Sequence, residues 1–165
     1  MVYKGQVTFR IIADEDKAFL RDVYADSRAW ELAHTTWSEK EFREFLDKQF
    51  DLQTIGYQQS FIGAIHRIIQ LDGVDIGRLI VLRTDELLRI IDLSIMTDYR
   101  GRGIGADILK SLINEAVGGK VPVKLSVERG NPAINLYKRL DFKPVAMNAN
   151  HIEMIWQPDL RPREI

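Results

Sequence analysis

The chain has 165 residues, of which 45% are apolar and 28% charged, and its formal net charge is −1. This length suits one hydrophobic core, so we expect a single domain over residues 1–165. The balanced charge removes the electrostatic basis for sequence-independent binding to nucleic acid or anionic membranes. The absence of cysteine excludes disulfides, thiolate metal sites and a cysteine nucleophile. No apolar run approaches the roughly 20 residues that span a bilayer, and no secretion signal opens the chain, so we expect a soluble cytoplasmic protein.

The first third of the chain predicts a strand followed by two helices. Val7 to Ile12 form the strand, and Asp14 offers an N-cap for a helix that ends near Arg28. Ser38 to Glu41 has the spacing of a capping box, in which a serine and a glutamate satisfy each other's backbone N–H groups. A second helix therefore begins there, and the segment from Trp30 to Trp37 connects the two helices.

Three runs rich in Ile, Leu and Val between Phe61 and Met96 predict an antiparallel meander. Asp72-Gly73 separates the first two runs and is a strong hairpin signal. Arg83 to Glu86 supplies the second turn.

The segment from Ile90 to Glu115 predicts a phosphate-binding site. An apolar strand leads through a glycine-rich turn, residues 100–105, into an amphipathic helix that stops at Gly118-Gly119. The first N–H groups of such a helix have no internal partner, the helix dipole adds partial positive charge, and glycine lets a pyrophosphate approach the main chain. Arg100 and Arg102 add positive charge nearby. The alternative interpretation is that the glycines only shape a tight turn.

Two common phosphate-binding loops are excluded by spacing. The dinucleotide fingerprint Gly-x-Gly-x-x-Gly does not fit, because Gly101, Gly103 and Gly105 alternate and Ile108 follows. A P-loop does not fit either, because the chain has no Gly-Lys-Ser/Thr at this turn.

The last third of the chain predicts a strand, a helix and two further strands. Val121 to Val127 form the strand, Asn131-Pro132 opens a helix through Leu140, and Lys143 to Gln157 hold the final pair. Strand–helix–strand units impose parallel neighbours, whereas hairpins impose antiparallel ones. The order of elements therefore predicts an α/β or α+β fold with a mixed sheet.

Two motifs resemble the GNAT acetyltransferase superfamily. Arg100-x-x-Gly103-x-Gly105 after an apolar strand is similar to the family's acetyl-CoA signature, Arg/Gln-x-x-Gly-x-Gly/Ala. One strand downstream, Asn131 to Phe142 is similar to the family's stretch of an asparagine, an alanine, a Leu-Tyr pair and a closing Gly-Phe. Asp141 replaces the usual glycine at a position after a helix that often needs a left-handed backbone, and aspartate tolerates that conformation better than most residues. The resemblance implies a GNAT-like mixed sheet of about six to seven strands flanked by about four helices.

The resemblance also implies that acetyl-CoA is the acyl donor and is held mainly by main chain. The pyrophosphate would bind the backbone amides of the turn and helix start, namely Arg100, Gly101, Arg102, Gly103, Ile104, Gly105 and Ala106. The end of the preceding strand, around Ile95, would pair with the pantetheine arm, and Ile95 or Met96 would donate to the thioester oxygen as it becomes an oxyanion. Asn131 matches the family's cofactor-contacting asparagine, although it also stands where a helix N-cap belongs.

Tyr137 is the candidate proton donor and, by the resemblance, also a cofactor contact. CoA departs as a thiolate, and a phenol with a reference pKa of about 10 can protonate it. The alternative is core packing, because Tyr137 shares a helix face with apolar residues.

Asp92 is the candidate base. An acceptor amine is mostly ammonium at neutral pH and must lose a proton before it attacks. Asp92 is the acidic residue in an otherwise apolar run that ends at the cofactor-binding turn. An ion pair with a neighbouring Arg or Lys is the alternative, and Glu128, at the end of the next strand, is a second candidate base.

The remaining candidates concern metal and acceptor binding. The three histidines lie far apart and have no ligand spacing, so we expect no metal. The resemblance places Tyr24, Trp30 and Trp37 at the wall of the acceptor pocket, but aromatic residues there are more often part of the core.

We therefore expect an acetyl-CoA-dependent N-acetyltransferase, monomeric or homodimeric, in which a primary amine of a small molecule or protein attacks the thioester directly. A hydroxyl or a protein N-terminus is an alternative acceptor, because acceptor pockets are built from variable loops. The alternative from another class is a non-catalytic acyl-CoA-binding sensor or interaction module.

Overall fold

A computed structural model describes residues 4–158. Within them, seven strands and four α-helices follow one another as β1 (Val7–Ile11), α1 (Lys17–Ser27), α2 (Glu39–Ser60), β2 (Ile65–Leu71), β3 (Val74–Arg83), β4 (Leu88–Ile95), α3 (Ile104–Gly119), β5 (Val123–Glu128), α4 (Ala133–Arg139), β6 (Lys143–Met147) and β7 (His151–Trp156). Three 3-10 segments, Asp14–Asp16, Ala29–His34 and Thr97–Tyr99, precede α1, follow α1 and follow β4. The predicted order of elements is confirmed.

The seven strands form one mixed sheet in the order β1-β2-β3-β4-β5-β7-β6. β1 pairs with β2 antiparallel, β4 with β5 parallel, and β7 with both β5 and β6 antiparallel. Because α3 carries the chain from the end of β4 back to the start of β5, these two strands can run in the same direction. The predicted fold class, an α/β or α+β mixed sheet, is confirmed.

The chain divides into two compact units. The first contains the described residues up to Ile80 together with Asp92–Ile104, and the second contains Val81–Ile91 and the described residues from Gly105 onward. A single domain over residues 1–165 stays a prediction.

The first unit buries one side of α1 and α2 against the sheet. Leu20 of α1, Phe50 of α2 and Ile68 of β2 form a buried cluster, and the partly buried Phe19 and Tyr24 pack against it. Leu20 and Tyr24 lie four residues apart on α1, as do the buried Phe42, Leu46 and Phe50 on α2, so this packing follows from the amphipathic pattern.

The second unit buries the apolar face of α3. Ile108, Leu109, Leu112 and Ala116 are all at most 5% exposed, as are the inward residues of β5, Val123, Leu125 and Val127. None of the described helices in either unit is both long and apolar enough to cross a membrane.

Two predicted turn signals are confirmed by the backbone. Asp72 and Gly73 have φ of 50° and 80°, which are the two positive φ values of a tight two-residue hairpin. Asp141 has φ of 67°, so the residue in the place of the family's glycine does adopt the left-handed conformation. At the start of α2, the Ser38 Oγ accepts from the Glu41 N–H (3.1 Å) and the Glu41 carboxylate accepts from the Ser38 N–H (3.0 Å), which is the predicted capping box.

Two details of the helix ends were predicted wrongly. Asp14 lies inside a 3-10 turn and is not the cap; the Asp16 carboxylate instead accepts from the Ala13 N–H (2.8 Å) and is held by Arg10. Gly118 and Gly119 lie within α3, and the residue that ends the helix with a positive φ of 56° is Lys120. Its N–H donates to the Val117 carbonyl, so an ordinary residue supplies the stop expected of glycine.

Candidate active site

The turn between β4 and α3 presents its main chain to solvent. Gly101 and Gly103 are exposed and have φ of 72° and 89°, which disfavours any residue with a β-carbon. A β-carbon added at either glycine would meet no heavy atom of the described residues within 4 Å. α3 begins at Ile104, directly after this turn, and runs for 16 residues. The glycines do shape a tight turn, and the space over them is also open to a ligand.

Both arginines of the turn donate to backbone carbonyls that lie just before it in the chain. The Arg100 Nε donates to the Ile95 carbonyl (2.6 Å), and the Arg102 Nη2 donates to the Asp98 carbonyl (2.8 Å). The Arg102 guanidinium also lies 5.3 Å from the centre of the Tyr99 ring. These contacts keep two positive charges beside the start of α3 while they fix the shape of the turn.

Asp26 of α1 is a site residue that the sequence did not indicate. Its carboxylate accepts from the Thr97 N–H (3.0 Å), from the Thr97 Oγ1 (2.9 Å) and from the Arg100 Nη2 (3.1 Å). Asp26 and Thr97 are 71 residues apart, so nothing in the local pattern could have joined them.

The two predicted oxyanion donors at the end of β4 differ in their hydrogen bonds. The Met96 N–H donates to the Ile76 carbonyl (2.8 Å) and is engaged within the sheet. Donation to a thioester oxygen by Ile95 or Met96 stays a prediction. Successive residues of a strand direct their N–H groups to opposite edges, so the Ile95 N–H points away from β3. The parallel pairing of β4 with β5 covers Leu88 to Ile90, whereas β4 itself continues to Ile95.

Asp92, the candidate base, forms an ion pair with a buried arginine. Its Oδ2 accepts from the Arg78 Nε (2.6 Å) and also contacts the Arg78 Nη2, and its Oδ1 accepts from the Ser94 Oγ (2.8 Å). Arg78 is only 5% exposed, and its Nη2 donates to the Gln53 Oε1 (3.0 Å). The ion-pair alternative is therefore present. A role for Asp92 in proton transfer stays a prediction.

His66 of β2 interacts with this ion pair. Burial lowers the pKa of His66 below 6.5, the positive charge of Arg78 lowers it further, and the negative charge of Asp92 acts in the opposite direction. The imidazole is therefore neutral at neutral pH, when it can accept a proton. From the sequence, the three histidines were considered only as possible metal ligands, and the interaction of His66 with Arg78 and Asp92 was not predicted.

Tyr137 and Asn131 belong to the second unit. The half-buried Tyr137 ring packs edge-on against the buried Phe142 ring, with 5.8 Å between their centres. The exposed Asn131 Oδ1 accepts from the Ala133 N–H (2.9 Å), so the capping role of Asn131 is present. Glu128, the second candidate base, is exposed at the end of β5. Proton donation by Tyr137 and cofactor contact by Asn131 stay predictions.

The aromatic residues around the 3-10 segment Ala29–His34 divide into two groups. Trp30 and Trp37 are 62% and 45% exposed, so the core interpretation is wrong for both. Tyr24 does pack against the core, and its hydroxyl accepts from the Arg28 Nη1 (2.7 Å). Trp37 and Phe45, whose rings lie edge-on 5.1 Å apart, line a shallow surface depression of about 430 Å³.

Among residues 4–158, no three His, Asp or Glu side chains converge as a metal site requires.

A family model described as an acetyltransferase (GNAT) domain matches residues 62–144, about half of the chain. The match includes the glycine-rich turn, α3 and α4, which carry both motifs identified in the sequence. The chain belongs to the GNAT acetyltransferase family. The predicted family is thereby confirmed. The family assignment also confirms the predicted activity at the level of the family, which is that of an acetyltransferase using acetyl-CoA.

Solved structures share the fold at low sequence identity. The PaiA N-acetyltransferase of Thermoplasma acidophilum, solved with coenzyme A, has a TM-score of 0.68 and 19% identity over 92% of this chain and 99% of its own. The ribosomal-protein-S18-alanine N-acetyltransferase of Escherichia coli has a TM-score of 0.63 and 18% identity over 97% and 99%. NAA60 of Arabidopsis thaliana, solved with a bisubstrate analogue, has a TM-score of 0.58 and 21% identity over 93% and 99%. At these identities the likeness establishes the GNAT fold.

Proposed function

We propose that this protein transfers the acetyl group of acetyl-CoA to a primary amine, which attacks the thioester carbonyl without a covalent enzyme intermediate. The observation that carries the proposal is the turn before α3, where two exposed glycines with positive φ leave the main chain open beside a helix start. Membership of the GNAT family supports acetyl-CoA as the donor. The cytoplasmic location and the monomeric or homodimeric state stay predictions.

The donor is proposed to bind main chain at two places. The pyrophosphate accepts from backbone N–H groups between Arg100 and Ala106, where the helix dipole and two arginines favour negative charge. The pantetheine arm pairs with the edge of β4 that faces away from β3, around Ile95, because its amides complement those of a strand. The Ile95 N–H then stabilises the thioester oxygen as negative charge develops on it.

The reaction requires three proton movements. The ammonium of the acceptor loses a proton to become a nucleophile, and its nitrogen loses a second proton after the new C–N bond has formed. CoA leaves as a thiolate when the C–S bond breaks and gains a proton from the Tyr137 phenol. We assign the first proton to Asp92, which Arg78 and Ser94 hold in a fixed orientation and which passes the proton to solvent. The second proton from the nitrogen restores the Tyr137 phenol through water, so the net products are the acetylated amine, CoA thiol and one proton.

The acceptor is proposed to be a small molecule or a protein that carries a primary amine. One similar structure is named as acting on the alanine of a ribosomal protein, and Naa50 of Arabidopsis thaliana is solved with the analogue CoA-Ac-MVNAL. These names favour a peptide N-terminus as the second acceptor to test beside small amines.

Calorimetric titration with acetyl-CoA tests the proposed donor site. Saturating acetyl-CoA should release or absorb measurable heat and raise the melting temperature of the protein. Gly103→Val should abolish this binding, because a branched side chain fills the open space over the turn and disfavours φ of 89°. Gly73→Val is the matched control, since Gly73 has φ of 80° and open space but lies in the β2–β3 hairpin. Equal loss of binding in both variants would contradict the assignment.

Turnover separates an enzyme from a non-catalytic acyl-CoA-binding module. Release of free CoA thiol is followed with acetyl-CoA and a panel of diamines, amino alcohols and the peptide MVNAL. An N-acetyltransferase releases thiol in proportion to N-acetylated product, identified by mass spectrometry. Tight acetyl-CoA binding without thiol release above the buffer rate for any amine would support the binding module instead.

A further inference from the structure

Asp26 connects α1 to the segment from Thr97 to Arg100, which leads from β4 into the turn that the donor is proposed to occupy. Its Oδ2 accepts from the backbone N–H of Thr97, the first residue of the 3-10 turn after β4, and from the Arg100 Nη2. The Thr97 hydroxyl donates to the same carboxylate. The Asp26 side chain therefore holds both ends of the segment 97–100, because it contacts Thr97 at the beginning and Arg100 at the end.

Arg100 extends this connection to the last residue of β4. Its guanidinium donates from Nη2 to Asp26 and from Nε to the Ile95 carbonyl, so it lies between the two. The carboxylate of Asp26 is mostly shielded from solvent, with 22% of the side chain exposed, whereas 47% of the Arg100 side chain is exposed. The bond from the Arg100 Nε fixes the peptide group between Ile95 and Met96, directly after the Ile95 N–H that is proposed to face the pantetheine arm.

We infer that Asp26 is a positioning residue for the acetyl-CoA site, acting through Arg100 and Thr97. This inference rests on the proposed function. The Asp26 carboxylate holds the turn in the shape that presents its amides to the pyrophosphate, and it keeps Arg100 on the Ile95 carbonyl. The first arginine of the motif thus acts on the protein's own backbone, and the phosphate is left to the main-chain donors.

Asp26→Asn tests the inference at nearly unchanged volume. The amide keeps one acceptor oxygen but loses the negative charge, and a hydrogen bond to a charged group contributes more than a neutral one. The Kd for acetyl-CoA should rise on the order of tenfold. This is the change expected when one hydrogen bond to a charged group is lost at a partly exposed site. The matched control is Asp22→Asn, because Asp22 lies one turn earlier on α1 and pairs with an arginine away from the turn, Arg43 (2.6 Å). Its Kd should stay within about twofold of wild type.

A double-mutant cycle separates positioning from general stabilisation. If Asp26 acts through Arg100, the effects of Asp26→Asn and Arg100→Gln on the Kd for acetyl-CoA should be strongly non-additive, with the double variant little worse than either single variant. Binding is measured by calorimetry at a temperature where circular dichroism shows every variant to be folded. An unchanged Kd in a folded Asp26→Asn, or additive effects in the cycle, would overturn the inference while the proposed function stands. Absence of acetyl-CoA binding by the wild-type protein would overturn both.

Discussion

Replacing Asp92 by Asn tests the ion pair that lies beside the proposed site. Arg78 is 5% exposed and would be left with a neutral amide and the Gln53 oxygen as acceptors. Removing one partner of a buried pair costs about 3–5 kcal/mol, because the remaining charge is uncompensated. The asparagine oxygen still accepts one bond, and 18% of the Asp92 side chain is exposed, so we expect a loss of about 2–3 kcal/mol.

Urea unfolding of the wild type and of Asp92→Asn measures this loss as a shift in midpoint at constant slope. The control is the double variant Asp92→Asn/Arg78→Met, which also removes the uncompensated guanidinium and should recover part of the lost free energy. A loss below about 1 kcal/mol for Asp92→Asn would refute the conclusion that the pair is buried and structurally important.

The same variant tests the proposed role of Asp92 as a base. General base catalysis contributes about a hundredfold to ten-thousandfold, and the asparagine amide cannot take up the proton. We therefore expect kcat of Asp92→Asn, at a temperature where it is folded, to fall by at least about a hundredfold. An unchanged kcat with reduced stability would leave Asp92 a purely structural role.

Three further substitutions test other parts of the structure. Tyr137→Phe should lower kcat by about tenfold to a thousandfold with little change in acetyl-CoA affinity or melting temperature, and unchanged turnover would remove Tyr137 as the proton donor. Gly77→Ala should destabilise the protein by about 1–3 kcal/mol in urea, because the new β-carbon would lie 2.2 Å from the Ser94 carbonyl oxygen; a wild-type midpoint would contradict that close approach. The Arg10 guanidinium lowers the pKa of Asp16 from 3.8 to about 2, so Asp16 stabilises the fold above pH 3.8 and this contribution is lost as the pH falls through 2. Asp16→Asn should therefore cost about 1–2 kcal/mol at pH 7, and the difference from wild type should shrink between pH 4 and 2.

Local patterns in the sequence predicted most of the fold and the turn at which the donor is proposed to bind. The capping box at Ser38, the hairpin at Asp72-Gly73 and the glycine-rich turn depend on neighbouring residues, and each appears where it was predicted. The length of α2 was not evident, because its C-terminal half carries the exposed Leu52 and Ile55 and so lacks a clear apolar face.

The parts of the site that the sequence did not indicate depend on contacts between distant segments. Asp26 reaches Thr97 across 71 residues, and Arg78 of β3 reaches Asp92 of β4 because the two strands are neighbours in the sheet. A charged residue within a strand shows that some partner is needed, but the sequence does not show which one. The hydrogen bond from the Met96 N–H to the Ile76 carbonyl likewise depends on the register of β4 against β3, which local propensity does not determine.

The hydrogen bonds from the Met96 N–H to the Ile76 carbonyl and from the Arg100 Nε to the Ile95 carbonyl hold the same peptide group from opposite sides. This peptide group cannot rotate without breaking both bonds, so the backbone directly after the Ile95 α-carbon is fixed in the resting protein. The Ile95 N–H belongs to the preceding peptide group, and as a main-chain donor within β4 it needs little reorganisation when negative charge appears before it. The donor is also independent of the side chain at position 95, so only proline among the ordinary substitutions removes it, and proline also changes the backbone. Replacing the amide by an ester through chemical synthesis would remove the N–H and leave every side chain in place.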